Sequence, residues 1–358
     1  MGWTITIGRV AGTEIKVHLT FFILVAFWGV AGYQQGGPAG ALAACIMLFA
    51  LFACVLLHEF GHILMAGRFG VRTPDVILLP IGGVARLERI PDEPRQELLI
   101  ALAGPAVTLA IVVALYAVLA LGGVAPRMGE LDPDGPFLET LMRVNLYLLV
   151  FNLFPAFPMD GGRVLRALLS SRMGLVAGTR IAARFGQASA VVAGLYGLTA
   201  GEPLLALVAL FVYLGAGAEA AAVETRVAGE GLKVDQMMVT QFRAIPVHAT
   251  LADAVGLLLS SEQREFPVVD NLGRVEGVLT RDNLIKGISQ RGTDSTVGEA
   301  MTPQVKSVSP RLGFQEALEQ LRSSGLPALP VVDESGRLVG MLTLDNITDL
   351  LLVRRARA

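Results

Sequence analysis

Leu56-Leu57-His58-Glu59-Phe60-Gly61-His62 lies inside a mostly apolar run from Gly40 to Ala66, and the reading of that run decides the fold. A helical run of that length spans a bilayer, for which about 20 apolar residues suffice. On such a helix His58 and His62 stand one turn apart on one face and can share a zinc ion. Glu59 then lies beside the metal, placed to take a proton from water. Two histidines and a carboxylate at membrane depth are costly, and residues kept there mark function.

Outward from that run the composition changes once. Residues 1–225 hold 14 Lys/Arg and 15 Asp/Glu, and the much shorter 226–358 holds 15 and 16. An apolar first part is thus joined to an ordinary soluble second part. The chain's net charge of −2 argues neither for nor against nucleic acid, but the balance within each part leaves no basic face, so no nucleic-acid partner is expected. Cys45 and Cys54, nine residues apart on one helix, stand roughly 13 Å apart at 1.5 Å per residue and cannot bridge. Cys54 shares the His58 face, either as a ligand or as a small core residue.

Six spans are expected, at about 18–33, 40–66, 98–121, 137–153, 185–200 and 203–222, so the first part is a polytopic helical membrane domain. Residues 3–18 read as a short strand pair or an extended arm ahead of them. Arginines cluster after the second and fourth spans, which places both termini and the soluble part in the cytoplasm and the motif near the cytoplasmic end of span two. Val76 to Leu87, broken at Gly82-Gly83, reads as a β-hairpin at the membrane boundary. Its free edge either pairs with an extended peptide or is plain surface. Ala103-Gly104-Pro105-Ala106 and Thr108 in span three read mainly as small residues for helix packing, with a direct role in the site as the other reading.

Span four runs into Asn152-Leu-Phe-Pro155-Ala-Phe-Pro158-Met-Asp160-Gly161-Gly162-Arg163. Two prolines end the helix and two glycines permit a sharp turn. The first motif supplies only two ligands, and the only other histidines are His18 and His248. Asp160 is therefore the economical third ligand of a two-histidine, one-carboxylate zinc site with an open position. Asn152 either hydrogen-bonds a substrate backbone or caps its helix.

The pair HEFGH and NLFPAFPMDGG on membrane helices resembles the site-2 protease family of intramembrane zinc metalloproteases, over residues 1–225. The resemblance implies that His58, His62 and Asp160 hold one zinc and that Glu59 is the catalytic base. It also implies that the hairpin, with Gly82 and Gly83, holds substrate as an added strand. The reaction implied is hydrolysis of a peptide bond in or near a transmembrane segment of a protein in the lipid bilayer. A metal or ion transporter using the same ligands is the alternative, although a transport site needs no base.

Residues 226–358 contain a repeat with an offset of 63. Pro267-Val-Val-Asp-Asn-Leu-Gly-Arg matches Pro330-Val-Val-Asp-Glu-Ser-Gly-Arg, and Leu279-Thr280-Arg281-Asp282 matches Leu342-Thr343-Leu344-Asp345. Two such strand–helix–strand–strand–helix units, at 232–290 and 295–353, pack as one α/β domain. The repeat resembles a tandem pair of cystathionine-β-synthase (CBS) domains. That resemblance implies an adenine nucleotide (ATP, ADP or AMP) at Thr280, Asp282, Thr343 and Asp345. The Thr-x-Asp spacing is one residue shorter than the common family pattern. The other role open to the pair is structural, as a homodimer contact.

Overall fold

The computed structural model describes residues 3–80, 82–86, 88, 93–124 and 135–357. Ile81, Leu87, Arg89 and Arg127, which entered the hairpin and topology readings, lie outside the described residues. The chain divides into two compact units, Met1–Val223 and Glu224–Ala358.

The first unit opens with two antiparallel strands, β1 (Thr4–Val10) and β2 (Thr13–His18). His18 ends β2 and its side chain caps the next helix by accepting from the Thr20 amide, a group otherwise without an intrahelical partner. The hairpin read from Val76 to Leu87 is present as β3 (Asp75–Leu79) and β4 (Gly82–Arg86). The sheet order is β1-β2-β3-β4, parallel between β2 and β3 and antiparallel elsewhere.

Residues paired across strands share a face of the sheet. Ile15, Val76 and Ala85 form one such row, and Val17, Leu78 and Gly83 another. This face packs on Phe21, Leu48, Phe52, Leu56 and Ile63. The opposite face is charged. Lys16 Nζ lies 2.7 Å from Asp75 Oδ2 and 3.1 Å from Glu14 Oε2, and Arg86 also holds Asp75. The Arg86 guanidinium, aided by Lys16, keeps the Asp75 carboxyl below the usual carboxylate range.

Helix α1 runs Leu19–Arg68 and is broken at Gly36 and Gly37, the latter at φ 62°. Its two arms lie antiparallel: Phe21 stacks edge-on to Phe52 at 4.7 Å between centroids. A Cβ on Gly32 would fall 2.5 Å from the Gly40 carbonyl oxygen, so glycine at both positions lets the arms meet. Helices α2 (Pro94–Leu121), α3 (Phe137–Leu153), α4 (Asp160–Met173), α5 (Leu175–Ala200) and α6 (Pro203–Ala228) follow. Three helices, α1, α2 and α6, are long and apolar enough to cross a membrane by length and composition. Gly161 and Gly162, read as a sharp turn, instead lie in the first turn of α4, a helix not among the six expected spans. Arg166 on α4 is buried between Glu97 on α2 and Glu219 on α6, each carboxylate oxygen 2.6 Å from a guanidinium nitrogen. Its guanidinium also lies over the Phe157 ring at 5.0 Å. One arginine thus ties α4 to two neighbours.

The second unit holds the repeats. The first comprises β5 (Ile245–Pro246), α7 (Leu251–Ser260), β6 (Glu265–Val269), β7 (Val275–Thr280) and α8 (Arg281–Arg291). After a short α9 (Val297–Ala300), the second comprises β8 (Thr302–Pro303), α10 (Phe314–Ser324), β9 (Ala328–Val332), β10 (Leu338–Thr343) and α11 (Leu344–Arg357). The repeats are interlocked. Val239, ahead of the first repeat's helices, bridges Met341 of the second, and Thr302 pairs back with Val278 of the first. Both contacts obey the 63-residue offset. Leu232, Val234 and Met237 accordingly sit in the core of the second repeat with Phe314, Leu321 and Val331.

Candidate metal centre

The ligand face is built where α1 packs on α2. A Cβ on Gly61 would lie 2.7 Å from the Ala103 carbonyl oxygen, so α2 approaches α1 to backbone contact beside the motif. Small residues permit such an approach between membrane helices. His58 and His62 are 7% and 4% exposed and Asp160, in the first turn of α4, 8%. These three are brought together: the two Nε2 atoms lie 3.1 Å apart, and each is 3.1 Å from Asp160 Oδ2.

The outer nitrogens fix what the inner ones present. His62 Nδ1 lies 2.7 Å from the Ile100 carbonyl oxygen. A carbonyl only accepts, so Nδ1 carries the proton and Nε2 points inward as a lone pair. His58 Nδ1 lies 2.8 Å from Thr108 Oγ1, and that hydroxyl is 3.5 Å from the Gly104 carbonyl behind it. With the hydroxyl proton turned to Gly104, Thr108 accepts from His58 Nδ1, and His58 Nε2 is also a lone pair. Two imidazole lone pairs and a carboxylate oxygen then face one another with no donor among them, an arrangement that calls for a cation. A tetrahedral zinc with bonds of about 2.0–2.1 Å separates its ligands by about 3.4 Å, close to the observed spacing. Partners on the outer ring nitrogens are what zinc-ligating histidines need to hold their orientation.

Gly104 makes room for this centre. A Cβ there would lie 2.2 Å from His62 Nε2 and 2.7 Å from His58 Nε2. Of the two readings of this stretch, packing and a direct role in the site, each holds for part of it. Packing holds for Ala103 against Gly61, but Gly104 and Thr108 face the histidines. The signal available was the single glycine between alanine and proline on a span rich in small residues. Cys54 is buried one turn before His58 and does not join the three-ligand cluster.

Glu59 is half-buried beside the cluster, and Gly83 on β4 lies directly against it. A Cβ on Gly83 would fall 2.7 Å from Glu59 Cγ and 3.2 Å from Oε1. Gly82 has φ 137°, a conformation that favours glycine. The two glycines therefore serve different needs, one of backbone and one of space. β4 pairs only with β3, so its outer edge is free among the described residues. Arg163, one turn beyond Asp160, adds a positive charge near Asp160, Glu219 and Glu59. Asn152 is half-buried in the last turn of α3 and its side chain makes no hydrogen bond to another described residue, so it does not cap that helix.

In the second unit Thr280 and Thr343 cap α8 and α11, their hydroxyls accepting from the amides of Asn283 and Asn346. A cavity of about 1070 Å3 between the repeats is lined by Arg243, Arg264, Arg281, Thr343 and Asp345 among others. Thr280 and Asp282 are not in its lining. Burial pushes the Glu265 carboxyl up, and the charges of Asp345 and Asp282 add to this. Of the two aspartates only Asp345 lines the cavity.

Comparison with known proteins gives a family for each unit. The family model described as peptidase family M50 matches residues 46–129 and 135–193, and that for the CBS domain matches 234–290 and 297–353. The chain is 33% identical over 349 residues to the zinc metalloprotease MJ0392 of Methanocaldococcus jannaschii, covering 97% of this chain and 96% of that one. It is 29% identical over 370 residues to Rip3 of Mycobacterium tuberculosis, covering 98% and 93%. Among solved structures, a site-2 protease from Methanocaldococcus jannaschii is 38% identical with a TM-score of 0.47, over 61% of this chain and 95% of that one.

Proposed function

We infer from membership of peptidase family M50, to which this chain belongs, that its zinc centre consists of His58, His62 and Asp160 with Glu59 as base. The chain is an intramembrane zinc metalloprotease carrying a CBS pair. The observation that carries the residue roles is the convergence of three acceptor atoms, 3.1 Å apart, with the Glu59 carboxylate beside them and outside the cluster.

Zinc at this centre supplies Lewis-acid polarisation of the scissile carbonyl and a more acidic water. Ile100 and Thr108 hold the two imidazoles as neutral ligands. Glu59 accepts the proton of the attacking water and returns it to the departing amine. Arg163 offsets the negative charge that gathers around Asp160 and Glu59. An unwound segment of substrate adds to the free edge of β4, which brings its backbone past Gly83 and over Glu59. Asn152 has an unengaged amide with which to meet that backbone.

The membrane unit crosses six times: by the two arms of α1 and by α2, α3, α5 and α6. The arginines after the second and fourth crossings favour both termini, and the CBS pair, in the cytoplasm. An adenine nucleotide binds between the repeats, with Thr343 and Asp345 in the cavity and Thr280 and Asp282 at the equivalent helix start. Its occupancy biases substrate entry, through different affinity for two arrangements of the enzyme. The CBS pair is also the surface offered for a homodimer.

The test is cleavage of a single-span substrate by the purified full chain in liposomes, with products identified by mass. Cleavage within or next to the span, abolished by chelator and restored by zinc, is expected. Zinc-dependent movement of an ion across the bilayer with no product would favour the transporter.

A further inference from the structure

The sheet continues past the helix that covers it. Its apolar face rests on α1 beneath β2, β3 and β4. β1 carries the same face one strand further, since Ile5 pairs with Val17 and Val10 with Thr13 on the α1-facing side. Nothing described lies beneath it. Ile5 is 47% exposed and Val10 50%, and Trp3, two residues before Ile5, is 67% exposed. Ile7, in the bulge where the register shifts, adds a fourth exposed apolar side chain. The other face of the same strands holds Arg9, Glu14 and Lys16, joined by ion pairs. Across β1 and β2 the sheet is therefore charged on one side and apolar on the other, with Ile77 and Val84 sharing the Lys16 side further along, and its α1-facing side is uncovered at β1.

The position of β1 identifies what covers it. The Trp3 carbonyl accepts from the Leu19 amide at 2.9 Å, which fixes Trp3 at the first residue of α1. From there α1 enters the membrane with Phe22, Ile23, Phe27 and Trp28 exposed on its surface. The apolar surface of β1 is thus continuous with a surface that lipid covers. An exposed tryptophan at the first turn of a spanning helix, beside a charged strand face, has the make-up of a headgroup-level anchor.

We propose that β1 lies on the bilayer, its Trp3–Ile5–Val10 face seated at the boundary of headgroups and acyl chains and its Arg9 face in water. The sheet would then be held at a fixed depth from its β1 side, leaving β4 as the edge open to another strand. This rests on the chain being a membrane protein, not on its proteolytic activity, so the two can fail separately.

The chain has two tryptophans, Trp3 and Trp28. The difference in emission between the full chain and its Trp3→Phe variant isolates Trp3 without altering α1. Both are reconstituted into phosphatidylcholine liposomes carrying bromine either near the headgroup or deep in the acyl chains, and are also titrated with aqueous iodide. Trp3 emission should be blue-shifted from that of tryptophan in water, quenched most by the shallow bromine and little by iodide. Trp28, read from the Trp3→Phe variant, should respond to bromolipid and so reports insertion. Strong iodide quenching of Trp3 with no bromolipid effect would put β1 in water and overturn the proposal. Protection from both quenchers would put protein, such as a second copy, over β1 and overturn it equally.

Discussion

Gly104→Ala separates a residue that packs helices from one that makes room for a metal. The added Cβ would lie 2.2 Å from His62 Nε2 and 2.5 Å from its Cε1, and 2.7 Å from His58 Nε2. Against an ordinary contact of 3.4 Å, the shortfalls are about 1.2 Å for His62 and about 0.7 Å for His58, while a metal ligand tolerates about 0.2 Å. Neither ring can retreat freely: the Ile100 carbonyl holds one at 2.7 Å and Thr108 the other at 2.8 Å. The helices cannot easily part either, because Gly61 and Ala103 are in backbone contact on the same interface. Disturbing one supporting hydrogen bond commonly weakens metal binding about 10–100-fold. Displacing two ligands at once should exceed the upper figure, about 2.7 kcal/mol. Competition with a chelator of known affinity, together with zinc per chain after purification, measures this. Zinc content unchanged, with affinity within about threefold (less than ~0.7 kcal/mol), would return Gly104 to a packing role.

Gly83→Ala presses on Glu59 rather than on a ligand, so zinc content should hold while turnover falls, by about 100-fold if the carboxylate is displaced by an ångström; parallel zinc and rate measurements check it. Thr108→Val removes the partner of His58 Nδ1 and should weaken zinc binding about 10–100-fold in chelator competition, with Thr108→Ser near wild type. Asp75 has a carboxyl pKa lowered by Arg86 and Lys16, so its contribution to the hairpin is fully present above the unfolded value of about 3.9 and is lost as pH falls through the lower folded value. Hydrogen exchange across 75–86, corrected for intrinsic rates, should therefore be level from neutral pH to about 5 and lose protection only below about 4. Asp75→Asn should remove that dependence.

The parts of the site that were legible in the sequence are those whose geometry is local. His58 and His62 share a face because helical spacing puts them there, and Asp160 announces itself by the prolines and glycines that break the chain around it. The outer partners are another matter. Ile100 and Thr108 are 38 and 50 residues from the histidines they hold, and only the packing of α2 on α1 brings them near. Small residues in 103–106 signal a close approach without saying what is approached, so Gly104 and Ala103 read alike although one faces ligands and the other backbone. Gly82 and Gly83 likewise read as one break, yet one answers to φ and the other to the Glu59 side chain. In the second unit the 63-residue offset reveals two copies but not that each lends a segment to the other. That exchange depends on which strand offers an edge to Val239 and Thr302.

If Glu59 acts on water beside a zinc held by three other residues, base and ligands can be separated by one substitution. Glu59→Gln keeps the size of the side chain and removes the base. Measured on the purified full chain in liposomes, it should retain about one zinc per chain, as expected of a site with three protein ligands, and cleave no substrate. Loss of zinc together with activity would make Glu59 a ligand or a structural residue, and retained cleavage would remove it from the reaction; either result contradicts the account.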